Sequence, residues 1–157
     1  MQIVATSREW DLRTSTLPSR LPTLCNWTSI EPNRHWENYN KSLLAQPPVA
    51  LNAARRDSIT RAVHETCEKR RWLLYAFNIR TNHGHVVVHS ADRPPGIILN
   101  ALKANATRQM LEDGCWASER SPWVERGSKR WLWNERSLER AIHYVLFGQG
   151  DELPDFD

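Results

Sequence analysis

Residues 72–90 read WLLYAFNIRTNHGHVVVHS, two apolar segments around a short polar break. WLLYAFNIR (72–80) is rich in aromatic and aliphatic residues and HGHVVVHS (83–90) centres on three consecutive valines, so both segments have strand character. Only Thr81 and Asn82 separate them, which predicts a tight antiparallel hairpin. Side chains alternate along a strand, so His83 and His85 share one face while Gly84, Val86 and Val88 share the other, where helices can cover them. His89 falls on the histidine face, farther along.

Outward from the hairpin, helical periods appear on both sides. Upstream, ARRDSITRAVHETCEKRR places Ile59, Ala62, Val63 and Thr66 at helical spacing among charges, predicting an amphipathic helix over 53–70. Downstream, the Pro94-Pro95 break precedes a second helix over 96–112, with Ile98, Leu102 and Ala106 on one face and Gly114 as its stop. A Trp-rich connector leads to a short strand at 129–133. Asn134 then caps a third helix over 135–147, whose apolar stripe is Leu138, Ala141, Ile142 and Val145. Residues 1–52 read as an irregular arm in which only 2–7 resemble a strand, and residues 151–157 as an acidic tail. With that first strand the order is β-α-β-β-α-β plus a terminal helix. It predicts an α+β fold of the ferredoxin-like, RRM-like kind, an antiparallel sheet with helices on one face and the other face free for chemistry or nucleic acid. The main domain is expected over 53–150.

Composition narrows the function classes. At 157 residues, 40% hydrophobic and 25% charged, the chain suits one globular domain and not wholesale disorder. The longest strongly apolar run, 72–77, is too short to span a bilayer, and MQIVATSREW lacks a signal peptide's basic start and apolar stretch, so no membrane partner and a cytoplasmic location are expected. Cys25, Cys67 and Cys115 have no paired spacing, which indicates neither a disulfide framework nor a zinc knuckle. The net charge of +3 conceals four acids in the tail, ahead of which 21 bases face 14 acids. Seventeen of those bases are Arg, and eight Trp accompany them, a mix that suits either a nucleic-acid surface or a solvated exterior around a Trp-filled core.

Three features could carry chemistry. The imidazoles of His83 and His85 on one face make either half a divalent-metal site or a pair of surface histidines. Tyr144 sits about 110° around its helix from the centre of the apolar stripe, neither clearly core nor clearly solvent, as for any boundary tyrosine with a wet hydroxyl. Gln149 follows at the helix end, where its amide oxygen could meet a metal or water.

Taken together, YAFNIRTNHGHVVVHS, a following helix with Lys103, and WVERGSKRWLWNERSLERAIHYVLFGQG resemble the single-tyrosine HUH transposases, especially the REP-associated tyrosine transposases, over roughly residues 53–153. The resemblance implies that His83 and His85, preceded by Asn82, hold Mg²⁺ or Mn²⁺, with Gln149 as a third ligand. It makes Tyr144 the nucleophile on single-stranded, hairpin-containing DNA, giving a 5′-phosphotyrosine link and a free 3′-hydroxyl. Arg80, Asn82, Lys103, Lys129 and Arg130 become candidate DNA contacts, and Trp131 or Trp133 candidate base-stacking residues. The acting unit is a monomer or a homodimer.

The chain departs from the family pattern in three places. Gly84 stands where a bulky apolar residue is usual between the histidines. Gln149 lies five residues after Tyr144 where four would keep one helix face, so the last turn has to be non-helical. The arm, too, lacks a clear family first strand. Two other readings fit the same residues: a catalytically inactive or domesticated single-stranded nucleic-acid-binding protein of this fold, and a small metallohydrolase built on His83, His85 and His64 or Glu68.

Overall fold

A computed structural model describes residues 2–6, 49–91, 93–124 and 127–150. The elements in chain order are β1 (Gln2–Thr6), α1 (Ala53–Arg70), β2 (Leu73–Ile79), β3 (Gly84–His89), α2 (Pro95–Glu112), β4 (Lys129–Leu132) and α3 (Glu135–Phe147). The fold is α+β. Most of the predicted arm and the acidic tail lie outside the described residues.

Local chemistry explains where the elements begin and end. Asn52, with extended backbone, caps α1 by accepting the Arg55 amide at 3.1 Å. The helix stops at Arg71, whose φ of 55° lets its own amide and that of Trp72 turn back onto the Glu68 and Cys67 carbonyls. Proline at the first position of α2 costs no hydrogen bond, because an amide there has no helical partner. Between β2 and β3 the hairpin is closed by the Arg80 amide donating to the His83 carbonyl at 2.7 Å. Leu74 pairs with Val88 but Ala76 with Val87, so Tyr75 is a bulge and both Tyr75 and Ala76 face the same side.

The four strands run in the order β2-β3-β1-β4. Only the β2–β3 pair is antiparallel; β1 lies parallel to both β3 and β4, which corrects the expected all-antiparallel sheet. The direction of β1 is beyond the reach of its sequence pattern. Reversing a strand in place keeps alternate residues on alternate faces, so QIVAT satisfies either orientation, and 46 residues separate β1 from α1 without constraining it.

Helices α1 and α2 cover one face, burying Ile59, Val63, Ile98, Leu99, Leu102, Ala106 and Met110 against Ile79, Val86 and Val88. The second face is not open as predicted, because α3 lies on it. Its stripe of Leu138, Ala141, Ile142 and Val145 packs on Ala76, Val87, Leu132 and Tyr75, an apolar strip that would otherwise face water. Full burial of a side chain such as Val145 or Val87 is worth about 1.5–3 kcal/mol, enough to dock the helix. Asn78 secures it further, donating through Nδ2 to the Val145 carbonyl at 2.9 Å. Packing also begins before residue 53: Leu51 is buried and its amide donates to the Thr81 carbonyl at 2.6 Å. Among the described residues no helix is long and apolar enough to cross a membrane.

Candidate active site

Alternation along β3 delivers its histidines to the α3 side of the sheet. Val86 and Val88 enter the core under α1 and α2, and His85 and Val87 point the other way. Gly84 belongs to the core side, where a Cβ would stand 2.6 Å from Ile79 Cδ1. Ile79, its cross-strand partner, already fills the space a bulky residue would need.

On that side four predicted residues meet. The rings of His83 and His85 are 5.2 Å apart, and the His85 and Tyr144 rings 5.6 Å apart, both edge to face at 77°. His83 Nε2 lies 3.2 Å from Gln149 Oε1, while its Nδ1 lies 2.6 Å from Asn82 Oδ1. His85 is buried, His83 exposed and Tyr144 half exposed, so the group opens to solvent with the tyrosine at its rim.

The end of α3 is what brings Gln149 back. The helix stops at Phe147, Gly148 leaves helical geometry with ψ 12°, and Gln149 Nε2 donates to the Tyr144 carbonyl at 3.2 Å. That bond orients the amide so that Oε1 faces His83. Gly148 passes so close to Tyr144 that a Cβ would sit 2.7 Å from Tyr144 Cδ2 and 2.9 Å from its carbonyl oxygen. A glycine is required there by proximity.

The donor set fits a divalent cation. When His83 Nδ1–H donates to Asn82, Nε2 carries a lone pair aimed at the Gln149 oxygen, also an acceptor. Two acceptors converging at 3.2 Å are a hydrogen bond only if Nε2 is also protonated. Otherwise they are spaced like neighbouring ligands of an octahedral ion, which at bonds of about 2.1 Å are about 3 Å apart. Burial first, and His83 second, hold His85 below its ordinary pKa, which keeps its imidazole neutral and able to ligate. Among the described residues no three His, Cys, Asp or Glu side chains gather into a metal-holding group; the oxygen beside His83 Nε2 is that of the Gln149 amide.

The remaining candidates are dispersed. Arg80 lies beside the site, its Nη2 3.9 Å from where a Gly150 Cβ would stand. Arg130 is exposed on β4 and alternates onto the α3 side with Leu132. Lys129 and Trp131 occupy the opposite face, and Lys103 is buried on the inner side of α2, where Nζ donates to the Val124 carbonyl at 2.8 Å. Lys103 is therefore not at this site; its position in line with Leu99, Ala106 and Met110 carries it inward. His64 and Glu68 are exposed on α1, across the sheet from His85, so the proposed hydrolase ligand set does not assemble. His89 lies four residues beyond His85, about 13 Å along the strand.

Sequence reading missed Asn78, which fixes α3 against the hairpin; a lone amide inside LLYAFNI was the available signal. Comparison of the chain with protein-family models, with curated proteins and with solved structures found no match.

Proposed function

We propose that the protein is a DNA strand transferase that cleaves and rejoins single-stranded DNA through Tyr144, in the manner of the single-tyrosine transposases it resembles. The observation that carries this reading is the meeting of Tyr144, His83, His85 and Gln149, contributed by the start of β3 with the residue before it and by the end of α3 with the turn after it, far apart in the chain. The strand order β2-β3-β1-β4 also accords with a ferredoxin-like plan, apart from the direction of β1.

A phenol is a weak nucleophile near neutral pH, so its attack on a phosphodiester needs charge stabilisation. His83, His85 and Gln149 would hold Mg²⁺ or Mn²⁺, which when bound polarises the phosphate and offsets its developing negative charge. Mn²⁺ suits a set containing two imidazoles better than Mg²⁺ does. Tyr144 Oη forms a bond to phosphorus as the bond to the 3′-oxygen breaks. The phenolic proton passes to solvent and the 3′-oxygen takes one up, leaving a 5′-phosphotyrosine and a free 3′-hydroxyl. Attack by another 3′-hydroxyl reverses the step and joins a new end, with no nucleotide cofactor consumed. Asn82 would hold the Nδ1–H tautomer of His83, and Arg80, beside Gly150, and Arg130, exposed on β4, are the candidates to meet flanking phosphates.

The test is incubation of purified protein with labelled single-stranded hairpin oligonucleotides in Mn²⁺ or EDTA, resolved on a denaturing gel. A metal-dependent shifted band lost in Tyr144→Phe is expected. A protein that binds the oligonucleotides but forms no adduct under any metal would replace this reading with that of a non-catalytic binder.

A further inference from the structure

The sheet face opposite Tyr144 carries a second group of side chains at its β4 edge. Leu132 is buried toward α3, so its alternating neighbours Lys129 and Trp131 project to the α2 side. The side chain of Lys129 lies against the first turn of α2, with Nζ 3.9 Å from the position of a Gly96 Cβ. Trp133 follows the strand and stacks on Trp131, ring centroids 5.6 Å apart and planes inclined by 26°. These two indoles are 40% and 68% exposed, although stacking already hides one face of each, and the outer faces remain in water.

The charge beside them is unbalanced. Lys103 reaches the same region from α2, and its pKa is lowered by burial and then by the nearby Lys129 ammonium. Among the described residues no carboxylate forms an ion pair with either lysine, and the first turn of α2, the positive end of that helix, holds no acid. Flat, wet π surface next to positive charge with no carboxylate partner among the described residues matches one ligand chemistry, a phosphate joined to an unpaired base. An anion alone would leave the indoles without a role, and an apolar peptide would leave the lysines without one.

We propose that Lys129, Trp131 and Trp133 form a second contact site for single-stranded polynucleotide, taking a phosphate at Lys129 and an unpaired base on the outer face of the indole pair. The site shares no residue with the tyrosine centre, so it stands whether or not Tyr144 cuts DNA.

Fluorescence anisotropy in a Tyr144→Phe background tests it, using labelled oligothymidylate, oligouridylate of equal length, and a duplex. Trp133→Ala should weaken oligothymidylate binding about tenfold or more, and Lys129→Gln should reduce the salt slope by about one. Both residues are exposed, so neither change disturbs the core. The duplex, whose base faces are hidden, should bind more weakly and be indifferent to Trp133→Ala. Equal losses on both single strands support the site, and a loss on oligothymidylate alone supports it and assigns it to DNA. Affinity unchanged in both variants, an equal Trp133→Ala loss on duplex, or no single-strand binding by the parent protein would overturn it.

Discussion

Gly84 stands where the resembled family usually has a bulky residue, and Ile79 leaves no room for one. The Ile79 terminal methyl lies where a Gly84 side chain would go, so one pocket is filled from the partner strand. Gly84→Val should therefore cost about 1–3 kcal/mol through overpacking, and adding Ile79→Val, which removes that methyl, should recover much of it. Urea denaturation of the single and double variants measures the coupling; additive losses would contradict the shared pocket. His85 gives a pH signature at the same scale. Its folded pKa lies below the ordinary 6.5, so the unfolded chain takes up the proton first. Stability should be level above about pH 6.5, fall as the pH drops through the window beneath it, and level again once the folded protein is protonated. His85→Gln should remove that fall, and an identical pH dependence in the variant would reject the assignment. The histidine face was legible in the sequence because strand alternation allows no other arrangement once Val86 and Val88 are core. The contact of His83 with Gln149 was not, since it depends on a turn after α3.

At the scale of elements, that turn is set by Gly148. Gln149 is the fifth residue after Tyr144, and a continued α-helix would carry the amide away from the tyrosine face. Termination at Phe147 and the close pass of Gly148 over Tyr144 resolve the mismatch. Gly148→Ala would press a methyl against the Tyr144 ring and carbonyl while leaving Leu138, Ala141, Ile142 and Val145 in place. The variant should stay folded, lose about 1–3 kcal/mol, and form the DNA adduct at least tenfold more slowly, because small misplacement of a nucleophile has large kinetic effects. Single-turnover adduct assays beside a thermal melt check this; wild-type rates would mean that Gln149 is not part of the chemistry. The helices and the hairpin could be read from periodicity, capping Asn134 and the Pro94-Pro95 break. The bulge at Tyr75 and the docking of α3 could not, because both follow from fitting an apolar strip on the second sheet face to a helix distant in sequence.

For the whole molecule, the two faces of one sheet divide the labour. One face and its helices supply most of the core, with Trp72 buried and Trp116 and Trp123 packed at its margin, while Trp131 and Trp133 remain exposed at the β4 edge. Trp is therefore divided between a buried core position at Trp72 and solvent-exposed positions at Trp131 and Trp133. The other face holds the His83, His85, Gln149 and Tyr144 group at the free end of the docked α3 helix. The reversal of β1 shows the limit of sequence reading at this scale: alternation fixes which faces residues occupy and leaves strand direction open. A nucleophilic Tyr144 must carry the covalent adduct, and the chain offers only Tyr39 and Tyr75 as other tyrosines. The most direct measurement is mass spectrometry of the protein after reaction with single-stranded DNA and Mn²⁺, nuclease trimming and proteolysis. A nucleotide phosphate attached to the peptide containing Tyr144 is predicted. Attachment at Tyr39 or Tyr75, or no attached nucleotide, would contradict the nucleophilic role of Tyr144.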